Sequence, residues 1–170
     1  MKKLFFLFIL TLIYSNSFSQ EKSWAVGVKV GDPSGLNIRH YLNNGNNAVE
    51  LNLGVYGGIW GLRSNYKDGT FNGAGFSFSG VYLWHNEMTS RLKNYYGFGA
   101  QFTSRSYYVP DGAGTKEIPT TGLGGLGQVG LEYFLNSPLS IFIEAGAYIE
   151  LVPSILYFHP QGGGGVRLNF

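Results

Sequence analysis

Cysteine is absent from the chain. That excludes disulfides, thiolate metal ligands and a lipid-modified cysteine at an export cleavage site. Charge is scarce: Asp, Glu, Lys and Arg make up 13% of the residues, where a soluble domain carries about 25%. Long apolar runs are missing beyond the first twenty residues, because Gly and polar residues interrupt each one. A membrane-spanning helix needs about 20 consecutive apolar residues, so no such helix is expected. There is no basic excess either. Setting aside Lys2 and Lys3 leaves ten Lys and Arg against ten Asp and Glu, and a neutral chain offers nothing to a nucleic-acid partner.

What is present begins with an export signal. Lys2 and Lys3 precede an apolar stretch from Leu4 to Tyr14, and Ser17 and Ser19 stand where a signal peptidase requires small residues. Residues 1–19 are therefore expected to be a signal peptide cleaved before Gln20, leaving one domain over 20–170.

From Leu139 to Leu151 the chain alternates strictly. Leu139, Ile141, Ile143, Ala145, Ala147, Ile149 and Leu151 share one face, opposite Ser140, Phe142, Glu144, Gly146, Tyr148 and Glu150. This is the period of a strand whose two faces meet different surroundings. It exceeds the roughly 5–6 residues of a typical soluble strand and suffices for the roughly 9–11 tilted residues that cross a bilayer. The apolar face is expected against lipid and the carboxylates in a polar lumen.

Eight such segments follow the signal: Trp24–Val30, Leu36–Leu42, Ala48–Tyr56, Gly75–Trp84, Asn94–Ser106, Gly122–Leu135, Leu139–Leu151 and a terminal one ending at Phe170. In the fourth, Val81 and Leu83 fall on the face opposite Phe76, Phe78, Tyr82 and Trp84, which suggests a bulge. The stretches Arg63–Asn72, Tyr107–Thr121 and Val152–Gly162 read as long loops at one end. Asn43–Asn47, His85–Lys93 and Asn136–Pro138 read as shorter turns at the other. Gly31–Gly35 is a tight turn on the long-loop side and predicts a low rim there. The expected fold is an all-β, eight-stranded antiparallel up-and-down transmembrane barrel, closed so that no backbone edge is left unpaired in lipid.

These features resemble the small eight-stranded outer-membrane barrels of the OmpX type and of the OmpA membrane domain. The resemblance rests on the export signal, the eight amphipathic segments and the terminal Val166-Arg167-Leu168-Asn169-Phe170. It implies residence in the bacterial outer membrane among its lipids. It also implies delivery by the barrel assembly machinery, with Phe170 as the assembly signal.

The inward positions collect Lys29, Arg39, Arg105 and Arg167 with Glu50, Glu132, Glu144 and Glu150. An eight-stranded barrel is only wide enough to be filled by side chains, so these charges are expected to pair and plug it. A gated ion path or an acid–base site is the alternative. Trp24, Tyr41, Tyr133, Phe134 and Phe170 at one end, and Tyr56, Trp60, Tyr107 and Tyr108 at the other, fit interfacial girdles. Trp60, Arg63, Tyr66, Tyr107, Tyr108 and His159 form a candidate external rim for a protein partner, with His159 in the last loop. The apolar loop Ile155–Phe158 is a candidate contact for a partner or an acyl chain.

Chemistry leaves few traces. His40, His85 and His159 lie in separate segments without metal-ligand spacing. Gly122–Gly127 matches Gly-x-Gly-x-x-Gly but leads into a strand rather than a helix, which defeats a phosphate cradle. Wall glycines are instead expected to seat aromatics from neighbouring strands. No cofactor and no catalytic residue is expected. Two alternatives to a non-enzymatic barrel stay open. One is a lipid A-modifying hydrolase or acyltransferase. The other is a soluble periplasmic barrel with inverted alternation, holding an apolar ligand inside.

Overall fold

The computed structural model describes residues 22–59, 64–112, 114–136 and 138–170. The expected signal peptide, Trp60 and Arg63 lie outside these residues. Eight long strands run β1 (Trp24–Asp32), β2 (Ser34–Leu42), β3 (Asn47–Tyr56), β6 (Gly75–Glu87), β7 (Leu92–Asp111), β8 (Gly114–Phe134), β9 (Leu139–Val152) and β10 (Tyr157–Asn169). A small hairpin, β4 (Asn65–Tyr66) and β5 (Gly69–Phe71), is inserted between β3 and β6. Each long strand pairs antiparallel with its neighbours, and β1 pairs with β10 from Ala25↔Asn169 to Asp32↔Gly162, closing an eight-stranded barrel. Two further backbone bonds seal the seam, Trp24 N to Phe170 O at 3.1 Å and Phe170 N to Trp24 O at 2.9 Å. Closure leaves no edge in the wall, the condition that lipid imposes on a sheet.

Trp24, Phe170 and the short turns share one end. At Asn43–Gly45 the chain reverses through positive φ at Asn43 (49°) and Asn44 (56°), a region that Asn enters more readily than most residues. The longer excursions share the opposite, loop end. There the β1–β2 connection is tight, as the Gly31–Gly35 motif predicts.

Alternation sorts the two faces. Val26, Val28, Val30, Leu36, Ile38, Leu51, Leu53, Phe78, Phe98, Ile141 and Ile143 are exposed on the outer wall, while Arg39, Glu50, Glu132 and Arg167 are fully buried in the lumen. That order is the reverse of what a soluble barrel with an apolar interior requires, and it overturns that alternative.

Three expectations need correction. The fourth sequence segment carries no bulge: β6 keeps one register against β3 and β7 throughout. Val81 and Leu83 point inward because the lumen is not polar along its whole length. They pack with Ala48, Tyr95 and Leu126 in an apolar island. The Tyr107–Thr121 loop is instead a ribbon, with β7 and β8 paired out to Asp111↔Gly114. β9 reaches only Leu123 of β8, so the ribbon stands beyond the wall. Most of the Val152–Gly162 loop is likewise strand, since β10 starts at Tyr157.

Candidate functional site

The lumen charges are assembled by strand register. Arg39 and Glu50 face each other as direct cross-strand partners on β2 and β3, and Arg167 and Ser140 do so on β10 and β9. Arg39 donates from Nε to Glu50 at 2.7 Å and from Nη1 to Glu132 at 2.8 Å. Arg167 places Nη2 at 3.0 Å from Glu50 and Nη1 at 3.2 Å from Glu132. Two guanidiniums and two carboxylates thus alternate around a closed ring.

Remaining lone pairs are occupied. Gln128 donates to Glu50 at 3.1 Å, Ser140 to Glu132 at 2.6 Å and Tyr41 to Glu132 at 3.2 Å. Lys29 pairs with Glu144 at 2.7 Å, and Tyr95 donates to the same carboxylate at 2.9 Å. Buried charges persist only with this degree of pairing, since removing a charge from water costs several kcal/mol.

Aromatic rings close the space between the charges. The Arg167 guanidinium lies 3.5 Å from the Phe142 centroid and that of Arg39 lies 4.2 Å from Tyr95. Two inward glycines make room for those rings. A Cβ on Gly130 would stand 2.3 Å from Tyr95 Cζ, and one on Gly165 would stand 2.7 Å from Phe142 Cζ. Glycines therefore seat aromatics inside the barrel. On the outer wall the expectation fails: a Cβ on Gly125 or Gly127 would meet nothing within 4 Å.

Arg105 and Glu150 do not join the ring. Both sit at the loop end, where the β4–β5 hairpin folds into the barrel mouth with Tyr66 and Phe71 buried. Tyr66 donates to Glu150 at 2.6 Å, and Ser154 N donates to the same carboxylate at 2.9 Å. Burial, and then the Glu150 carboxylate, push the Tyr66 hydroxyl well above the ordinary phenol range. Arg105 stacks 4.0 Å from the Phe71 centroid and donates from Nε to Gly73 O. Tyr107 and Tyr157 pack edge-on to Tyr66, with centroids 5.2 and 5.1 Å away.

The candidate rim is redistributed accordingly. Tyr66 is a plug residue rather than a rim contact, because its ring fills the mouth. Tyr107 is half-buried against that plug, and Tyr108 is half-buried with its backbone paired to Thr70. His159 is not in a loop: it lies on β10 and points inward, 3.6 Å from Asp32 and 4.6 Å between ring centroids from Tyr56. Tyr56 and Tyr41 leave the girdles as well. Tyr56 is buried beside Tyr148 and His159, and Tyr41 turns its hydroxyl to Glu132. Phe170 is exposed at the terminal end.

Sequence reasoning missed Asp32 and Phe71, and it placed Tyr157 in the apolar contact loop, whereas its ring packs against Tyr66 and Phe71. Asp32 is buried and accepts from Gly57 N at 2.6 Å, tethering the β3–β6 connection. The Asp68-Gly69 pair between Tyr66 and Phe71 is a hairpin signal that could have revealed the plug.

The chain is similar in fold to two solved barrels. The N-terminal β-barrel domain of Pseudomonas aeruginosa OprF matches with a TM-score of 0.61 at 16% identity, over 89% of this chain and 100% of that one. Neisserial surface protein A, NspA, matches with a TM-score of 0.51 at 15% identity, over 86% of this chain and 94% of that one. No family model and no curated protein matches the sequence.

Proposed function

We propose that this chain is an integral protein of the bacterial outer membrane, with a side-chain-filled lumen and a structural or accessory role. It meets partners through its loop end and performs no catalysis. One observation carries this: an aliphatic outer wall encloses a paired ring of Arg39, Glu50, Glu132 and Arg167. In water that wall would be a large exposed apolar surface, whereas in lipid it costs nothing. The fold it shares with the barrels of OprF and NspA supports the same placement.

In this reading Phe170 is the signal read by the barrel assembly machinery, and the partner surface is the β7–β8 ribbon with Tyr108 and the plug around Tyr107. The paired lumen charges support a plugged barrel over an ion path.

Fractionation and planar-bilayer recording test it. The mature chain should resist carbonate extraction from membranes, run as a heat-modifiable band and give no steady conductance. A folded monomer in detergent-free buffer overturns the membrane reading, and a steady open pore overturns the filled lumen.

A further inference from the structure

The turn between β9 and β10 presents an apolar crest that the barrel itself leaves bare. Val152, Ile155, Leu156 and Phe158 are exposed, Ile155 at 77% and Leu156 at 72%. The crest is built rather than frayed. Ser154 N donates to Glu150 Oε1 at 2.9 Å, Leu156 N to Glu150 O at 2.9 Å and Tyr157 N to Ser154 O at 3.2 Å. Leu156 is held at φ 67°, a conformation uncommon for a non-glycine residue.

Among the described residues at this end, the tips Asp32–Ser34, Lys67–Asp68 and Asp111–Gly112 are polar, and Ile59 is a lone exposed aliphatic before the β4–β5 hairpin. The crest prolongs the outer belt. From Ile143 through Ile149 and Leu151 the outward positions of β9 stay apolar up to Ile155, with Leu123 and Phe158 exposed on the neighbouring strands.

We propose that the β9–β10 crest is seated in the headgroup–acyl boundary of the lipid layer that surrounds the barrel, anchoring the loop end in the membrane surface. Its occupant is lipid rather than protein, because the crest continues the belt without a polar break. Side chains that are apolar and sit at the margin of a lipid-facing belt gain from entering that boundary. The proposal rests on the reading that the belt faces lipid.

The absence of cysteine allows a direct test. Single variants I155C, I143C and T115C are labelled with a small fluorophore and folded into phosphatidylcholine vesicles whose acyl chains carry bromine near the headgroups. I143C lies in the belt and T115C on the ribbon. The label at I155C should lose fluorescence to the brominated lipid, and that at T115C should keep it. Loss at I143C with a bright, iodide-accessible label at I155C overturns the crest and leaves the belt reading standing. So does an I155C label shielded from both lipid and iodide, which means a protein covers it. Bright labels at both I155C and I143C overturn the belt reading itself.

Discussion

Tyr66 and Glu150 stand 84 positions apart in the chain, and a 2.6 Å hydrogen bond joins them at the mouth of the barrel. The phenol donates to a carboxylate in a buried site, a charge-assisted bond worth roughly 1.5–3 kcal/mol. Tyr66→Phe keeps the ring against Phe71, Tyr107 and Tyr157 and removes only the donor. The hairpin should then open more often, by about tenfold for each 1.4 kcal/mol lost, while the wall stays intact. Limited proteolysis after Lys67 in reconstituted vesicles measures this. Equal cleavage of the two forms would mean the bond does not hold the plug.

The same bond sets a pH dependence. The hydroxyl of Tyr66 is held protonated above its ordinary range, by burial and by Glu150. A raised pKa contributes stability that is fully present below the unfolded value, near 10, and is lost as pH climbs from there toward the folded value. Cleavage after Lys67 should therefore accelerate above about pH 10 in the native chain. In Tyr66→Phe, which has no proton to lose, the Tyr66 contribution to that rise should vanish.

Within the ring, removing one partner is worse than removing all. Glu50→Gln leaves the buried Arg39 and Arg167 sharing fewer carboxylates and should cost about 3–5 kcal/mol. Replacing Arg39, Arg167, Glu50 and Glu132 together with apolar residues of similar volume should cost less than that single change. Urea unfolding in vesicles, followed by tryptophan fluorescence, ranks the two. The opposite ranking would mean the charges stabilise the barrel outright.

The strand order and the inward placement of Arg39, Glu50, Glu132 and Arg167 were legible because the outward face of the long strands is largely apolar, so the period-2 contrast is strong. Legibility faded where that contrast does. Val81 and Leu83 meet an apolar island inside the barrel, so their inward placement looked like a slip of register. Residues 107–112, 114–121 and 157–161 carry no long apolar-against-polar alternation, so polarity no longer distinguishes strand from loop there. Pairing was the other hidden quantity. Arg105 and Glu150 carry the same charges as their counterparts in the ring, but strand length lifts them to the mouth, where loop residues become their partners.

The island supplies its own test of register. Leu83 is fully buried in the lumen, whereas Leu53 is exposed on the outer wall. Leu83→Ala opens a cavity among Ala48, Val81, Tyr95 and Leu126 and should cost about 2–5 kcal/mol. Leu53→Ala exchanges one outward-facing side chain for a smaller one and, if the wall faces lipid as proposed, should cost far less, because acyl chains would fill the space. Equal costs would contradict the continuous register of β6.

Two glycines of β8 should respond oppositely to the same added methyl group. Gly127 faces outward with free space around its Cβ position, so Gly127→Ala removes unfolded-state freedom without a clash and should be neutral or stabilising by up to about 1 kcal/mol. Gly130 faces inward, where a Cβ would stand 2.3 Å from Tyr95 Cζ and 2.7 Å from the Ile143 carbonyl oxygen. Tyr95 could swing aside only by abandoning Glu144 and the Arg39 guanidinium, and the backbone contact would persist. Overpacking of this kind costs roughly 1–3 kcal/mol. Unfolding midpoints of the two variants, measured side by side in the same vesicles, should therefore fall on opposite sides of the native value or leave only Gly130→Ala displaced. A Gly130→Ala barrel as stable as the native one would mean that Tyr95 does not rest on that glycine.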